Sequence, residues 1–177
     1  MISLPLVYTI LALVSYTSSF WYLFIHLMSK RTPNLWCYGL IVVLGLILHG
    51  LVLSQDMITP LGVNYDVFNL ISFTSGLMLS LSLILSLIRP ILPLNLIGIP
   101  VAAIGLILGF SLSQSNQTIE HHGVGLDTHI ILSLSAYAVL LMATIQAVLL
   151  WFQDRELKKK QKRRIWVNLL PPFQVME

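Results

Sequence analysis

Long apolar runs alternate with short polar segments along this chain, and the pattern predicts five helices. Each run is long enough to cross a hydrocarbon core of about 30 Å at about 1.5 Å per residue. Charged residues fall between the runs rather than along them, as in multi-spanning membrane proteins. The predicted helices cover residues 4–28, 35–53, 67–88, 94–112 and 129–152, and a basic tail follows over 153–177.

Composition supports the same class. Apolar residues make up 56% of the 177 positions and charged residues only 10%, whereas a soluble domain carries about 25% charged residues. The single cysteine, Cys37, excludes an internal disulfide framework. We therefore expect an all-α membrane protein, a single integral domain over residues 1–177 embedded in the lipid bilayer.

The basic residues predict how this bundle is oriented. Lys30, Arg31, Arg89 and the run at 158–164 all lie at one predicted end of the helices, and the two loops at the other end contain neither Lys nor Arg. Because Lys and Arg are retained in the cytoplasm during insertion, the N-terminus is predicted outside and the C-terminus inside. Topology explains the basic run, so it does not indicate a nucleic-acid partner.

Small residues line one side of the fourth predicted helix. Gly98, Ala102, Gly105 and Gly109 are spaced i, i+4, i+7 and i+11, which places them on one face. Small residues let membrane helices approach closely. This face is therefore predicted to pack against another helix.

Polar residues inside the predicted spans are the candidates for chemistry. His129, Ser133 and Tyr137 are spaced i, i+4 and i+8 on the fifth helix, and such a stripe is expected to face the bundle interior. His49 lies in the last turn of the second helix, at the same predicted depth, with Gly45 one turn away leaving room for a flat ligand. Two histidines at one depth on two helices can hold haem iron by two axial bonds. His49 and His129 are thus candidate haem ligands, with Ser133 and Tyr137 lining the slot.

Other roles remain open for these side chains. Considered by geometry alone, hydrogen bonding within the bundle or at its surface is the simpler role for both histidines. The chain has no Gly-rich phosphate loop, nucleophile elbow or HExxH motif, and no carboxylate inside a predicted span. A transporter is disfavoured by the lack of a broken helix pair, an inverted repeat or a mid-membrane charge. We therefore expect no enzymatic turnover.

Residues 127–138, DTHIILSLSAYA, carry a family resemblance. They resemble the H-x-x-x-S-x-x-x-Y-A helix of the cytochrome c assembly, or haem-handling, membrane protein family. Residues 149–160, together with His49 and Asn69, are similar to the HemX/YpjD-like (CcsA-related) branch of that family. The resemblance implies that His129 lies at the extracytoplasmic mouth of a haem site.

The same resemblance implies a function and a location. It predicts a haem-handling accessory factor for cytochrome c assembly or respiratory-complex maturation, with proteins of those processes as partners, in the bacterial inner membrane. A cofactor-free membrane scaffold, or a regulator of haem synthesis acting through a partner protein, is the alternative. Family members usually continue through further helices, so the chain is expected to be truncated at its C-terminus.

Overall fold

A computed structural model of the protein describes residues 3–29, 32–59, 62–88, 92–113, 118–119 and 124–158. Within these ranges the chain forms five helices and a small three-stranded sheet. The helices are α1 (Leu4–Met28), α2 (Leu35–Met57), α3 (Val67–Ile88), α4 (Leu92–Leu112) and α5 (Val124–Lys158), and the strands are β1 (Ile58–Thr59), β2 (Gly62–Asn64) and β3 (Thr118–Ile119).

All five helices are long and apolar enough to cross a membrane. Their candidate spans contain between 21 and 28 residues, and about 20 apolar residues suffice for a bilayer. In the described part of the chain, the prediction of an all-helical protein with five potential spans is confirmed.

The bounds of three helices differ from the predicted ones: in α2 and α5 polar residues continue the helix, and in α4 the first turn accommodates a proline. α1 and α3 have the predicted limits, but α2 runs on to Met57, α4 begins at Leu92, and α5 extends from Val124 to Lys158. Polarity marks where a helix leaves the hydrocarbon, whereas helical hydrogen bonding continues until a cap or breaker ends it. Of the predicted basic tail, residues up to 158 therefore belong to α5, and 159–177 lie outside the described residues.

Polar side chains fix the starts of two helices. The Asn34 Oδ1 accepts hydrogen bonds from the backbone N–H of Trp36, at 3.0 Å, and of Cys37, at 3.4 Å. The Asp66 carboxylate accepts from the Phe68 N–H at 3.1 Å at the start of α3. Such caps satisfy N–H groups that have no partner within the helix.

The glycine face of α4 packs on the serines of α3. Gly105 and Gly109 are buried, and a Cβ added at Gly109 would lie 2.8 Å from the Ser72 Cβ. A Cβ added at Gly105 would lie 2.8 Å from the Ser75 Cβ and would overlap its hydroxyl. The predicted close-packing face of the fourth helix is confirmed.

Helix α5 lies outside the bundle that α1 to α4 form, and it packs along α3. Ala138 and Met142 of α5 form a buried cluster with Met78 of α3 and Leu94 of α4. Strand β2 pairs with both β1 and β3, which brings the α2–α3 and α4–α5 connections together at one end of the bundle. This arrangement leaves a cleft between α2 and α5, with α3 as its floor.

Candidate functional site: an apolar cleft beside His49

The cleft between α2 and α5 has a volume of about 620 Å³. Along α2 the cleft extends from Leu46 to Met57. These residues are eleven positions apart, which corresponds to about 16 Å of helix. Ile58 of β1 and Val63 of β2 line it at the end where the sheet lies. Most of its lining is apolar, and its volume falls in the range of about 300–1,000 Å³ found for small-molecule sites.

His49 lies in the wall of this cleft and is only 1% exposed. Its Nδ1 lies 3.0 Å from the Tyr16 hydroxyl of α1, and its Nε2 lies 2.9 Å from the Ser72 hydroxyl of α3. A neutral imidazole has one N–H donor and one nitrogen acceptor, and a hydroxyl can accept from the first or donate to the second. Both ring nitrogens are therefore satisfied, and the imidazole ties three helices together.

Two glycines make this arrangement possible. A Cβ added at Gly45 would lie 2.8 Å from the Tyr16 Cε1, so the glycine admits the tyrosine ring. A Cβ added at Gly76 would lie 3.3 Å from the His49 Cε1, so the imidazole lies close against α3. The expectation that Gly45 leaves room for a flat ligand is wrong, because Tyr16 occupies that space.

The polar end of the cleft is formed by Tyr65 and Asp127. The Tyr65 hydroxyl donates a hydrogen bond of 2.6 Å to the Asp127 Oδ1, which links the α2–α3 connection to the first turn of α5. Desolvation, followed by the hydrogen bond and the negative charge of Asp127, raises the pKa of the Tyr65 phenol to about 12. Among the described residues that line the cleft, Asp127 carries the one formal charge at neutral pH and there is no Lys or Arg.

The predicted stripe on α5 faces away from the bundle. His129 is exposed, Tyr137 is 61% exposed, and the Ser133 hydroxyl donates to the His129 carbonyl at 2.8 Å. The buried residues of this helix include Leu134 and Ala138, on its α3 side. The expectation of an inward stripe is wrong. Packing the apolar face of α5 against α3 buries more apolar surface than packing the polar stripe would, and a serine can satisfy its hydroxyl on its own helix.

The structure does not bring the two candidate histidines into one site. His49 lines the cleft and His129 does not. His121 and His122, in the loop before α5, lie outside the described residues. Within the described ranges, no group of three or more His, Cys, Asp or Glu side chains is placed to hold a metal ion. The assignment of His49 and His129 as haem ligands stays a prediction.

Sequence reasoning missed Tyr16 and Ser72 as the partners of His49, and the contact between Tyr65 and Asp127. Gly45 was the sequence signal for Tyr16. A glycine one turn from His49 is compatible with a bulky side chain packed against it as well as with free space for a ligand. The Tyr65–Asp127 contact joins residues 62 positions apart, and no local pattern marks it.

Comparisons with family models, with curated proteins and with solved structures gave no match. The likeness of residues 127–160 to haem-handling proteins therefore depends on the quoted residues alone.

Proposed function

We propose that this chain is a non-enzymatic, multi-pass membrane protein that handles haem. It would serve as an accessory factor for cytochrome c assembly or respiratory-complex maturation. The observation that carries the proposal is His49 in the wall of an apolar cleft of about 620 Å³, because histidine is a common axial ligand of haem iron. The resemblance of residues 127–138 points to the same cofactor.

The residues of the cleft fit part of what haem needs. The apolar lining suits the macrocycle and excludes water from it. His49 would supply the iron ligand, with one ring nitrogen giving up the Ser72 or the Tyr16 hydroxyl. The hydroxyl that remained would fix the orientation of the ring, as partners of ligating histidines generally do. His129 remains a candidate for the mouth of the site, outside the residues that line the cleft.

We also propose an orientation and a location. The α2–α3 and α4–α5 connections share one end of the bundle, and no Lys or Arg occurs in either loop sequence. The positive-inside rule supports placing this end outside and the C-terminus in the cytoplasm. The resemblance supports the bacterial inner membrane. Cysteine labelling in intact cells, with single cysteines at Ser54 and at Ser29 in a Cys37→Ser background, tests the orientation.

Visible absorption spectra of protein purified from haem-replete cells test the function. Wild-type protein should show a Soret band, and His49→Ala should lose it or shift it. His26→Ala is the matched control, because His26 bonds the Tyr22 carbonyl near the end of α1 and lies outside the cleft. His129→Ala separates the two histidines: a changed band would give His129 a role. A wild-type spectrum without a Soret band, or an unaltered band in His49→Ala, would contradict the proposal.

A second candidate is a cofactor-free scaffold, or a regulator of haem synthesis that acts through a partner protein. Two observations favour it: both nitrogens of His49 are already hydrogen-bonded, and in the described part of the chain no Lys or Arg lines the cleft to pair with haem carboxylates. In that case the protein shows no Soret band, and His49→Ala lowers only its stability.

A further inference from the structure

The cleft between α2 and α5 has the dimensions of a lipid chain. Its extent along α2, about 16 Å, matches one leaflet, which is half of a hydrocarbon core of about 30 Å. The cleft has a volume of about 620 Å³ and a mostly apolar lining, which leaves room for flexible hydrocarbon.

The charge of the cleft lies at one end. Asp127 is three residues from the start of α5 and two from the start of its candidate span at Gly125, and lipid headgroups begin at the ends of a span. Its carboxylate accepts one hydrogen bond from Tyr65, and a carboxylate has about four acceptor positions. With no Lys or Arg among the described residues of the lining, a phosphate or carboxylate approaching this end meets repulsion from Asp127 that none of those side chains offsets.

From this geometry we infer that the cleft is a binding site for a membrane lipid with a primary-ammonium headgroup. One acyl chain lies along α2 between Leu46 and Met57, and the ammonium group donates hydrogen bonds to Asp127. A primary ammonium carries both the positive charge and the N–H donors that a carboxylate requires. Phosphatidylethanolamine has this chemistry, whereas phosphatidylcholine has the charge without the donors, and phosphatidylglycerol is anionic. The inference concerns the haem-free protein, in which the cleft is open to lipid, and it does not depend on haem handling.

The structure supplies matched variants for the chain and for the headgroup. A Cβ added at Gly50, in the lining of the cleft, meets nothing within 4 Å, so Gly50→Leu adds a larger side chain to the cleft from an open position. Gly39 on the same helix is equally open but lies outside the cleft, which makes Gly39→Leu its control. Asp127→Asn removes the charge and keeps an oxygen for Tyr65. Asp56→Asn is the control for charge, because Asp56 lies near the end of α2 but is not among the residues that line the cleft.

The test measures the thermal stability of delipidated, haem-free protein in micelles against added dioleoyl-phosphatidylethanolamine, -phosphatidylcholine or -phosphatidylglycerol. We expect half-maximal stabilisation at about fivefold lower phosphatidylethanolamine than phosphatidylglycerol, which is about 1 kcal/mol at 1.4 kcal/mol per tenfold. Asp127→Asn should abolish that preference and Asp56→Asn should keep it.

The chain-filling variants complete the test. Gly50→Leu should remove the lipid effect, and Gly39→Leu should retain it. Equal stabilisation by the three lipids in the wild type, no stabilisation by any of them, or an unchanged preference in Asp127→Asn would overturn the inference. A lipid response that survives in Gly50→Leu would place the lipid elsewhere. Because the protein is free of haem, none of these results depends on the Soret test.

Discussion

Gly105 on α4 lies directly against Ser75 on α3, and this contact allows a worked prediction. An alanine methyl at position 105 would lie 2.8 Å from the Ser75 Cβ, whereas carbon atoms prefer about 3.5–4.0 Å. Ser75 cannot turn aside, because the contact includes its Cβ and its hydroxyl is bonded to the Ser72 carbonyl at 2.9 Å. Helices α3 and α4 must therefore separate.

The size of the effect follows from two opposing contributions. Overpacking costs about 1–3 kcal/mol, and replacing glycine by alanine inside a helix returns at most about 1 kcal/mol. Because the added methyl would overlap the Ser75 hydroxyl as well as approach its Cβ, the overpacking cost should lie at about 2–3 kcal/mol. We therefore expect Gly105→Ala to lower the free energy of unfolding by about 1–2 kcal/mol, measured by SDS titration in mixed micelles with circular dichroism. Gly50→Ala is the control, since nothing lies within 4 Å of its added Cβ, and it should be neutral or stabilising.

A double variant tests whether the Ser75 Cβ causes this cost. Ser75→Gly removes the opposing Cβ, so Gly105→Ala should cost markedly less in a Ser75→Gly background than in the wild type. If Gly105→Ala is as stable as wild type, or if its cost is the same in both backgrounds, the proposed contact between α3 and α4 does not limit their approach.

Three further predictions concern hydrogen bonds at the cleft and at a helix start. Tyr16→Phe leaves a buried ring nitrogen of His49 without a partner and should cost about 1–3 kcal/mol in the same titration, while Tyr137→Phe, at an exposed position, should cost almost nothing. Because the fold raises the pKa of Tyr65 from the ordinary 10.0 to about 12, the stability from its neutral hydroxyl is complete below pH 10 and is lost as the pH rises to about 12. Tyr65→Phe should remove that loss between pH 10 and 12, and an unchanged pH profile would refute the assignment. Asn34→Ala removes the α2 cap and should cost about 1 kcal/mol, whereas Ser3→Ala should not, because the Ser3 side chain makes no capping bond at α1.

The sequence pattern was sufficient to predict the helices and the α4 packing face. Hydrocarbon thickness sets the length of each apolar run, and the spacing of Gly98, Ala102, Gly105 and Gly109 determines a single face whatever its partner. The limits of α2 and α5 were harder to predict from the sequence. Polar residues such as Asp56 and Asp127 mark the edge of the apolar run, but the helix continues through them.

The candidate site was predictable only in part. His49 is buried, as its place in a membrane helix suggests. Its partner Tyr16 is 33 residues away in the chain, and only tertiary packing brings the two side chains together. The stripe of His129, Ser133 and Tyr137 was assigned to the wrong side of α5, because a periodic pattern identifies a face without identifying its neighbour. The cleft exists because α5 packs on α3 at a distance from α2. This arrangement of helices cannot be predicted from any single segment of the sequence.

The most direct test of haem handling in the cleft is a haem titration of haem-free protein in lipid nanodiscs, followed at the Soret band, for wild type, Gly50→Leu and Gly39→Leu. Gly50→Leu adds a larger side chain to the lining of the cleft, whereas Gly39→Leu adds the same side chain outside it. We predict a saturable Soret band for wild type and Gly39→Leu, and little or none for Gly50→Leu. Equal bands in all three proteins would place haem outside the cleft, and a band in none of them would contradict haem handling by this chain.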